Sequence, residues 1–274
     1  MSQAPTGPDP TALARLAADL ARQAGQLLVE AGRHRRARAA LAEAATRKSS
    51  ATDLVTAADQ ASERLIVGGI TSTRPDDAIL GEEGSDHAGK SGLTWIIDPL
   101  DGTINYVYGF GTWAVSIAVA DDSGTLAGAV YDPLRDEMFS AARGHGAHLD
   151  GRPLGSLDAP PLGESLIGTG FSYAAETRRG QARLLPVVLP RVRDVRRAGS
   201  AALDLCYVGA GRLNGYYEAG LHPWDRAAGL LVATESGAAF ADVDDLVPHR
   251  STLVVAPPGL LDELCSLLRE AARR

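Results

Sequence analysis

The stretch Thr94-Trp95-Ile96-Ile97-Asp98-Pro99-Leu100-Asp101-Gly102-Thr103 decides how this chain is read. Thr94 to Ile97 has the apolar, β-branched texture of a short buried strand, and it runs directly into a proline, two acids and a glycine. Taken alone, Asp98 to Thr103 also fits an ordinary Pro/Asp/Gly turn. Working outward, similar short apolar runs stand on both sides: Ala78 to Leu80, Trp113 to Ala120, Leu126 to Tyr131 and Glu137 to Ala142. Trp113 to Ala120 is apolar at almost every position, as expected of a strand covered on both faces. Before them, Asp9-Pro10-Thr11 supplies a cap and a first-turn proline for a long helix, with Leu13, Leu16, Leu20, Ala24, Leu27, Leu28 and Ala31 on one face. A second helix carries Asp59, Glu63, Leu65 and Ile66. After residue 184, strands at Val187–Leu189, Gly215–Glu218 and Leu253–Ala256 alternate with helices through Ala201–Val208, Ala227–Glu235 and Leu260–Ala272. The pattern is that of a layered α/β architecture in two halves meeting near residue 150.

Composition narrows the function. The 274 residues are 45% hydrophobic and 22% charged, which excludes a disordered chain. A net charge of −7 argues against nucleic acid or an anionic membrane as a partner. Arg33-His34-Arg35-Arg36 with Arg38 therefore reads as a solvated helix face. Cys206 and Cys265 both lie in apolar helical stretches, so a disulfide scaffold is excluded and a reducing, cytoplasmic setting fits. The first ten residues lack the apolar core of a secretory leader and read as a flexible arm. His145 and His148 sit beside no acidic cluster and read as structural.

One motif is a decoy. Gly84-Ser85-Asp86-His87-Ala88-Gly89-Lys90-Ser91 has the spacing of a phosphate-binding loop. That chemistry requires the loop to open into a helix whose N–H groups cradle phosphate. Gly92 and Leu93 lead instead into the strand at Thr94, so a polar surface loop is expected.

Three acidic sites end strands or begin helices: Gly81-Glu82-Glu83-Gly84, Asp98-Pro99-Leu100-Asp101, and Trp224-Asp225. Singly, Glu82-Glu83 is a charged turn and Asp225 a helix cap. Together, Asp59, Glu82, Asp98, Asp101 and Asp225 bring five negative charges to one cleft, which holds an anionic substrate only if divalent cations neutralise it. Hard oxygen donors without neighbouring Cys or His suit Mg²⁺. Two such ions roughly 3.5–4 Å apart clamp a phosphoryl group between water and leaving oxygen. Gly102 lets backbone N–H groups approach an anion, and the Thr103 hydroxyl can hold a water.

Lys48-Ser49-Ser50-Ala51-Thr52-Asp53-Leu54-Val55-Thr56-Ala57-Ala58-Asp59, Gly81-Glu82-Glu83, Trp95 to Tyr106 and Tyr216 to Asp225 resemble, in order and spacing, the inositol monophosphatase family. Lys48 stands at a motif position although the chain has two lysines against 25 arginines; its alternative is a surface charge. The resemblance implies an alternating α/β/α/β/α sandwich, lithium sensitivity, a homodimer, and two to three Mg²⁺ per site. It implies a single domain over 11–274, with 11–150 carrying most metal ligands and 151–274 carrying Asp225 and the alcohol-binding segment. Carried over by position, Glu82, Asp98 and the Leu100 carbonyl would hold the first Mg²⁺. Asp98, Asp101 and Asp225 would hold the second, and Glu82 would reach a third through water. Asp59 and Thr103 would orient the attacking water, and Gly102 and Thr103 N–H groups would bind phosphate beside Asp101 and Asp225. Gly199-Ser200-Ala201 and Glu218 would receive the alcohol. Ile104, where a second threonine is common, and Pro223 are departures outside the ligand set.

The activity implied is hydrolysis of inositol 1-phosphate. Histidinol phosphate is the alternative, because a carboxylate at Glu218 also suits an amine. Fructose bisphosphatase and phosphoadenosine-phosphate phosphatase activities are further alternatives, without evident elements for a second phosphate or a base. A contact with the transcription machinery through Arg191, Arg193, Arg196 and Arg197 is a reading of a different class.

Overall fold

Asp9 opens the first helix as its sequence predicts: Oδ1 accepts from the Thr11 backbone N–H at 2.9 Å and from the Thr11 hydroxyl at 2.8 Å. The structure is a computed structural model that describes residues 8–42 and 51–274, with side chains omitted for 34–42 and 51–56. Residues 1–7 of the arm and Lys48 lie outside the described residues, as do the side chains of the basic cluster beyond Arg33 and those of Asp53 and Thr56.

Helices α1 (Pro10–Ala42) and α2 (Ala51–Thr73) precede β1 (Ala78–Gly81), β2 (Thr94–Asp101), α3 (Thr103–Tyr108), β3 (Ala114–Asp121), β4 (Gly124–Asp132), β5 (Glu137–Ala142), β6 (Ala147–Leu149) and β7 (Arg152–Pro153). These seven strands form one sheet in chain order, parallel between β1 and β2 and antiparallel elsewhere. The parallel pair is joined across residues 82–93 without a helix, so the phosphate-loop spacing at Gly84–Ser91 is indeed a surface loop. Then come β8 (Leu166–Thr169), α4 (Ala175–Ala182), α5 (Leu185–Val188), β9 (Asp194–Arg196), α6 (Ala201–Gly209), β10 (Gly215–Ala219), α7 (Pro223–Glu235), β11 (Ala239–Val247), β12 (Arg250–Ala256) and α8 (Pro258–Ala272). The second sheet is mixed, in the order β11-β12-β10-β8-β9. Among the described residues no helix is long and apolar enough to cross a membrane.

The sheets and helices alternate in five layers. α1 and α2 cover one face of the first sheet, α6 and α7 lie between the sheets, and α4, α5 and α8 cover the far side. β3 shows why. Val115, Ile117 and Val119 face the core under α1 and α2, whereas the small Ala114 and Ala118 face α6 and α7. Large residues fill the wider gap and small ones let the middle helices come close. On β4, a Cβ on Gly128 would stand 3.0 Å from the Ala228 Cα of α7. Gly128→Val is therefore expected to destabilise the fold by about 2 kcal/mol through overpacking, read as a lower urea midpoint at unchanged slope.

One expected element is different. Val187–Leu189 is not a strand: Leu185–Val188 is a helical turn, and Leu189–Arg191 continues as a 3₁₀ turn. Pro186 and Pro190 each occupy the opening of a turn, where their fixed φ favours helix over strand. Cys206 and Cys265 are both buried free thiols, on α6 and α8.

Candidate active site

The acids come together because β2 breaks its register. Asp98 lies opposite Ser116 and Asp101 opposite Ala114, so three steps along β2 match two along β3. Residues three apart on a regular strand face opposite ways; the bulge returns Asp101 to the face of Asp98. Leu100 points the other way, 1% exposed in the core under α1. The Ser62 hydroxyl of α2 donates to the Pro99 carbonyl at 3.0 Å, pinning the bulge from behind.

Ser116 also fixes the second half of the site. Its hydroxyl donates to the Trp224 carbonyl at 3.4 Å, bringing the start of α7 to the strand position beside Asp98. There the Asp225 Oδ2 accepts from the His222 N–H at 2.6 Å in a capping box. From α6, the Ser200 hydroxyl donates to Asp101 Oδ2 at 2.5 Å and the Ala202 N–H donates to the same oxygen at 2.8 Å. Asn105 holds that approach by donating to Thr112 and Ala198 carbonyls at 2.6 and 2.8 Å. Gly102 has φ of 90°, and a Cβ there would meet the Thr112 and Gly199 carbonyls at 3.0 and 3.1 Å, so both the backbone and the space require glycine. The Thr103 hydroxyl donates to the Leu100 carbonyl at 3.0 Å.

Glu82, Asp101, Gly102, Glu218 and Asp225 line one cleft of about 290 Å³, with Gly199 and Ala201 on its wall. Asp98 is buried behind Glu82 and hydrogen-bonded to it. Asp59, on α2, is buried near Glu82 and Glu83, and among the described residues its Oδ1 has no hydrogen-bond partner. On β10, Glu218 accepts from the Tyr216 hydroxyl, and it fits only because residue 170 is glycine: a Cβ there would overlap its carboxylate at 1.8 Å.

Every one of these carboxyls is pushed above its ordinary range, in each case mainly by burial. Asp59 rises to about 8, with Glu83 and Glu82 adding repulsion. Asp98 rises well above the usual value under burial and the charges of Glu82, Asp101 and Asp225. Asp101 rises to about 7, offset in part by the Ser200 hydroxyl. Glu218 rises to about 7, with Tyr216 and Arg197 opposing the rise. Such a cluster, with oxygen donors throughout, fits a hard divalent cation. Its side chains do not form a closed cage: among the described residues no three acidic, His or Cys groups converge with ligand geometry. Asp98 Oδ1 accepts from the Leu100 N–H, Asp101 from Ser200 and Ala202, and Asp225 from His222.

The structure thus brings to one cleft or its wall the predicted Glu82, Asp98, Asp101, Gly102, Thr103, Gly199, Ser200, Ala201, Glu218 and Asp225, with Asp59 behind. It also adds Asp204, Arg197 and Arg250 to the lining. Asp204 is 2% exposed, and among the described residues its Oδ1 has no hydrogen-bond partner. A lone acid inside the apolar run Ala201-Ala202-Leu203-Asp204-Leu205-Cys206 was the available signal. His145 and His148 line a separate groove against α1.

A five-layer α/β fold with acids converging from β1, β2 and α7 defines a metal-dependent phosphatase, and the chain belongs to the inositol monophosphatase family, which matches residues 9–273. The inositol-1-monophosphatase SuhB of Mycobacterium tuberculosis is 47% identical over 232 residues, covering 81% of this chain and 80% of that protein. The Nus factor SuhB of Pasteurella multocida is 39% identical over 234 residues, covering 82% of this chain and 85% of its own length. Among solved structures, Mycobacterium tuberculosis SuhB has a TM-score of 0.81 at 41% identity, covering 97% of this chain and 98% of that one. Inositol monophosphatase from Anabaena has a TM-score of 0.81 at 31% identity, covering 95% and 96%.

Proposed function

We propose that the chain is a Mg²⁺-dependent phosphomonoesterase that hydrolyses inositol 1-phosphate to inositol and phosphate. The observation that carries this is the juxtaposition of two acid groups in one cleft: the Glu82–Asp98–Asp101–Asp225 cluster, and Glu218 facing it from β10. Glu82, Asp98, the Leu100 carbonyl, Asp101 and Asp225 would hold two Mg²⁺, with Glu82 reaching a third. Bound there, the ions supply positive charge to the phosphoryl group and ease ionisation of water. The protein's own groups do the rest. Asp59, buried beside Glu82 and Glu83, and the Thr103 hydroxyl orient the attacking water. The Gly102 and Thr103 N–H groups fix the phosphate. Glu218 has one oxygen engaged by Tyr216, and its other oxygen accepts hydroxyls of the alcohol beside Gly199, Ser200 and Ala201.

A homodimer follows the family resemblance. Ile104, Tyr108, Phe110 and Leu134 are large apolar side chains left exposed, and Arg135 donates to the Gly111 carbonyl between their segments. The arginines considered for a transcription contact are largely engaged within the chain: Arg191 with Glu270, Arg196 with Asp194, and Arg193 with the Glu164 carbonyl.

The test is phosphate release from inositol 1-phosphate and histidinol phosphate side by side, with Mg²⁺ and with a chelator. Chelator-sensitive release with preference for inositol 1-phosphate is expected. Glu218→Gln should then raise KM for inositol 1-phosphate roughly tenfold, the loss of one hydrogen bond to a charged group. Preference for histidinol phosphate would reassign Glu218 to an amine, and no chelator-sensitive release would overturn the reading.

A further inference from the structure

Glu63 lies one helical turn beyond Asp59 on α2, on the same face, and the roles assigned above leave it unused. It is 1% exposed. Its Oε2 accepts from the Glu83 N–H at 2.9 Å and its Oε1 from the Ser85 N–H at 3.0 Å. In the same turn the Glu82 and Gly84 N–H groups are satisfied by the Ile97 and Gly81 carbonyls. The backbone thus supplies acceptors for alternate amides, and one buried carboxylate supplies the other two. Gly81 completes the fit. It ends β1 without positive φ, and a Cβ on it would stand 2.9 Å from the Glu63 carboxyl carbon. Burying a carboxylate is costly unless its lone pairs are used, and here both oxygens are spent on the turn that carries Glu82.

We infer that Glu63 is a positioning residue: it hangs the Glu82 turn on α2, and so sets the spacing between Glu82 and Asp59. This rests on the reading of Glu82 as a cation ligand. Groups that orient a ligand from behind typically change metal affinity by 10- to 100-fold when removed. Glu63→Gln keeps one acceptor but turns an NH₂ group towards a backbone N–H. Glu63→Ala removes both acceptors. Gly81→Ala strains the contact from its other side, and the alanine at 63 makes room for it.

The experiment compares wild type with these variants and the Gly81→Ala/Glu63→Ala double variant. Three quantities are read: amide exchange at Glu83 and Ser85, the Tm shift produced by MgCl₂, and the Mg²⁺ concentration giving half-maximal phosphate release. Both amides should exchange faster in Glu63→Ala. Glu63→Gln should need roughly tenfold more Mg²⁺ and show a smaller Tm shift, with most of kcat recovered at saturating Mg²⁺. The double variant should be no worse than the poorer single one. A wild-type Mg²⁺ requirement in Glu63→Gln, with only a lower Tm, would reduce Glu63 to a structural residue and overturn the inference. If Glu63→Ala does not fold, Gly81→Ala alone decides by the same Mg²⁺ readout. A wild type without any Mg²⁺-dependent Tm shift overturns the functional reading and the inference together, whereas a responsive wild type with Glu63 and Gly81 variants that respond equally overturns the inference alone.

Discussion

Asp98→Asn is expected to reduce phosphate release on the order of a thousandfold, equivalent to losing several kcal/mol of charge stabilisation at the phosphoryl group. The same substitution should make the cation-free protein more stable. Asp98 is buried beside Glu82, and burial with the charges of Glu82, Asp101 and Asp225 pushes its carboxyl well up. An amide removes that repulsion, while its oxygen still accepts from the Leu100 N–H, which Asp98 Oδ1 does at 3.0 Å. Calorimetry with and without MgCl₂ checks both halves: a higher Tm without the ion, and no further rise when it is added. Retained turnover, or a lower Tm in the absence of the ion, would contradict the assignment.

Asp77→Asn is the complementary case, a large loss of stability away from the cleft. Asp77 is 1% exposed between α2 and β1. Arg74 donates to both its oxygens at 2.8 and 3.1 Å, and the Trp95 indole donates at 2.9 Å. Burial pushes this carboxyl up, but the hydrogen bonds from Arg74, Ser91 and Trp95 and the Arg74 charge outweigh burial and hold it below its usual range. Asparagine leaves a partly buried guanidinium without its counter-charge, at a cost of about 3 kcal/mol. The pH dependence follows from the depressed value. Stability from Asp77 is fully present above the unfolded carboxylate value near ~4 and is lost as pH falls through the folded one. Urea midpoints of wild type and variant should therefore differ most at pH 6–7 and converge on acidification. A gap that is constant with pH would show that packing, and not charge, sets the loss.

What could be read from the sequence followed from how locally each feature is encoded. Strands β1 to β5 announce themselves as apolar runs cut by Gly, Asp and Pro, and Glu82 and Asp101, at the ends of β1 and β2, line the cleft. β11 escapes such reading because Ala239-Phe240-Ala241-Asp242-Val243-Asp244-Asp245 is laced with acids, at the exposed edge of the second sheet. The Val187-Val188 pair suggested a strand, but the prolines on either side decided otherwise. The least legible features are contacts between distant positions. Ser200 meets Asp101 across 99 residues, and Glu63 reaches Ser85 across 22. Neither spacing leaves a periodic trace.

The bulge in β2 has one further consequence. It turns the Leu100 carbonyl towards the Thr103 hydroxyl. A carbonyl belongs to every amino acid, so no codon change can delete this oxygen. Side-chain scanning is blind to it, and inheritance can preserve it only indirectly, by keeping the residue count between Asp98 and Asp101. The role proposed for this oxygen is thus written in chain length, and a backbone ester at the following peptide bond, rather than any substitution, is the alteration that would test it.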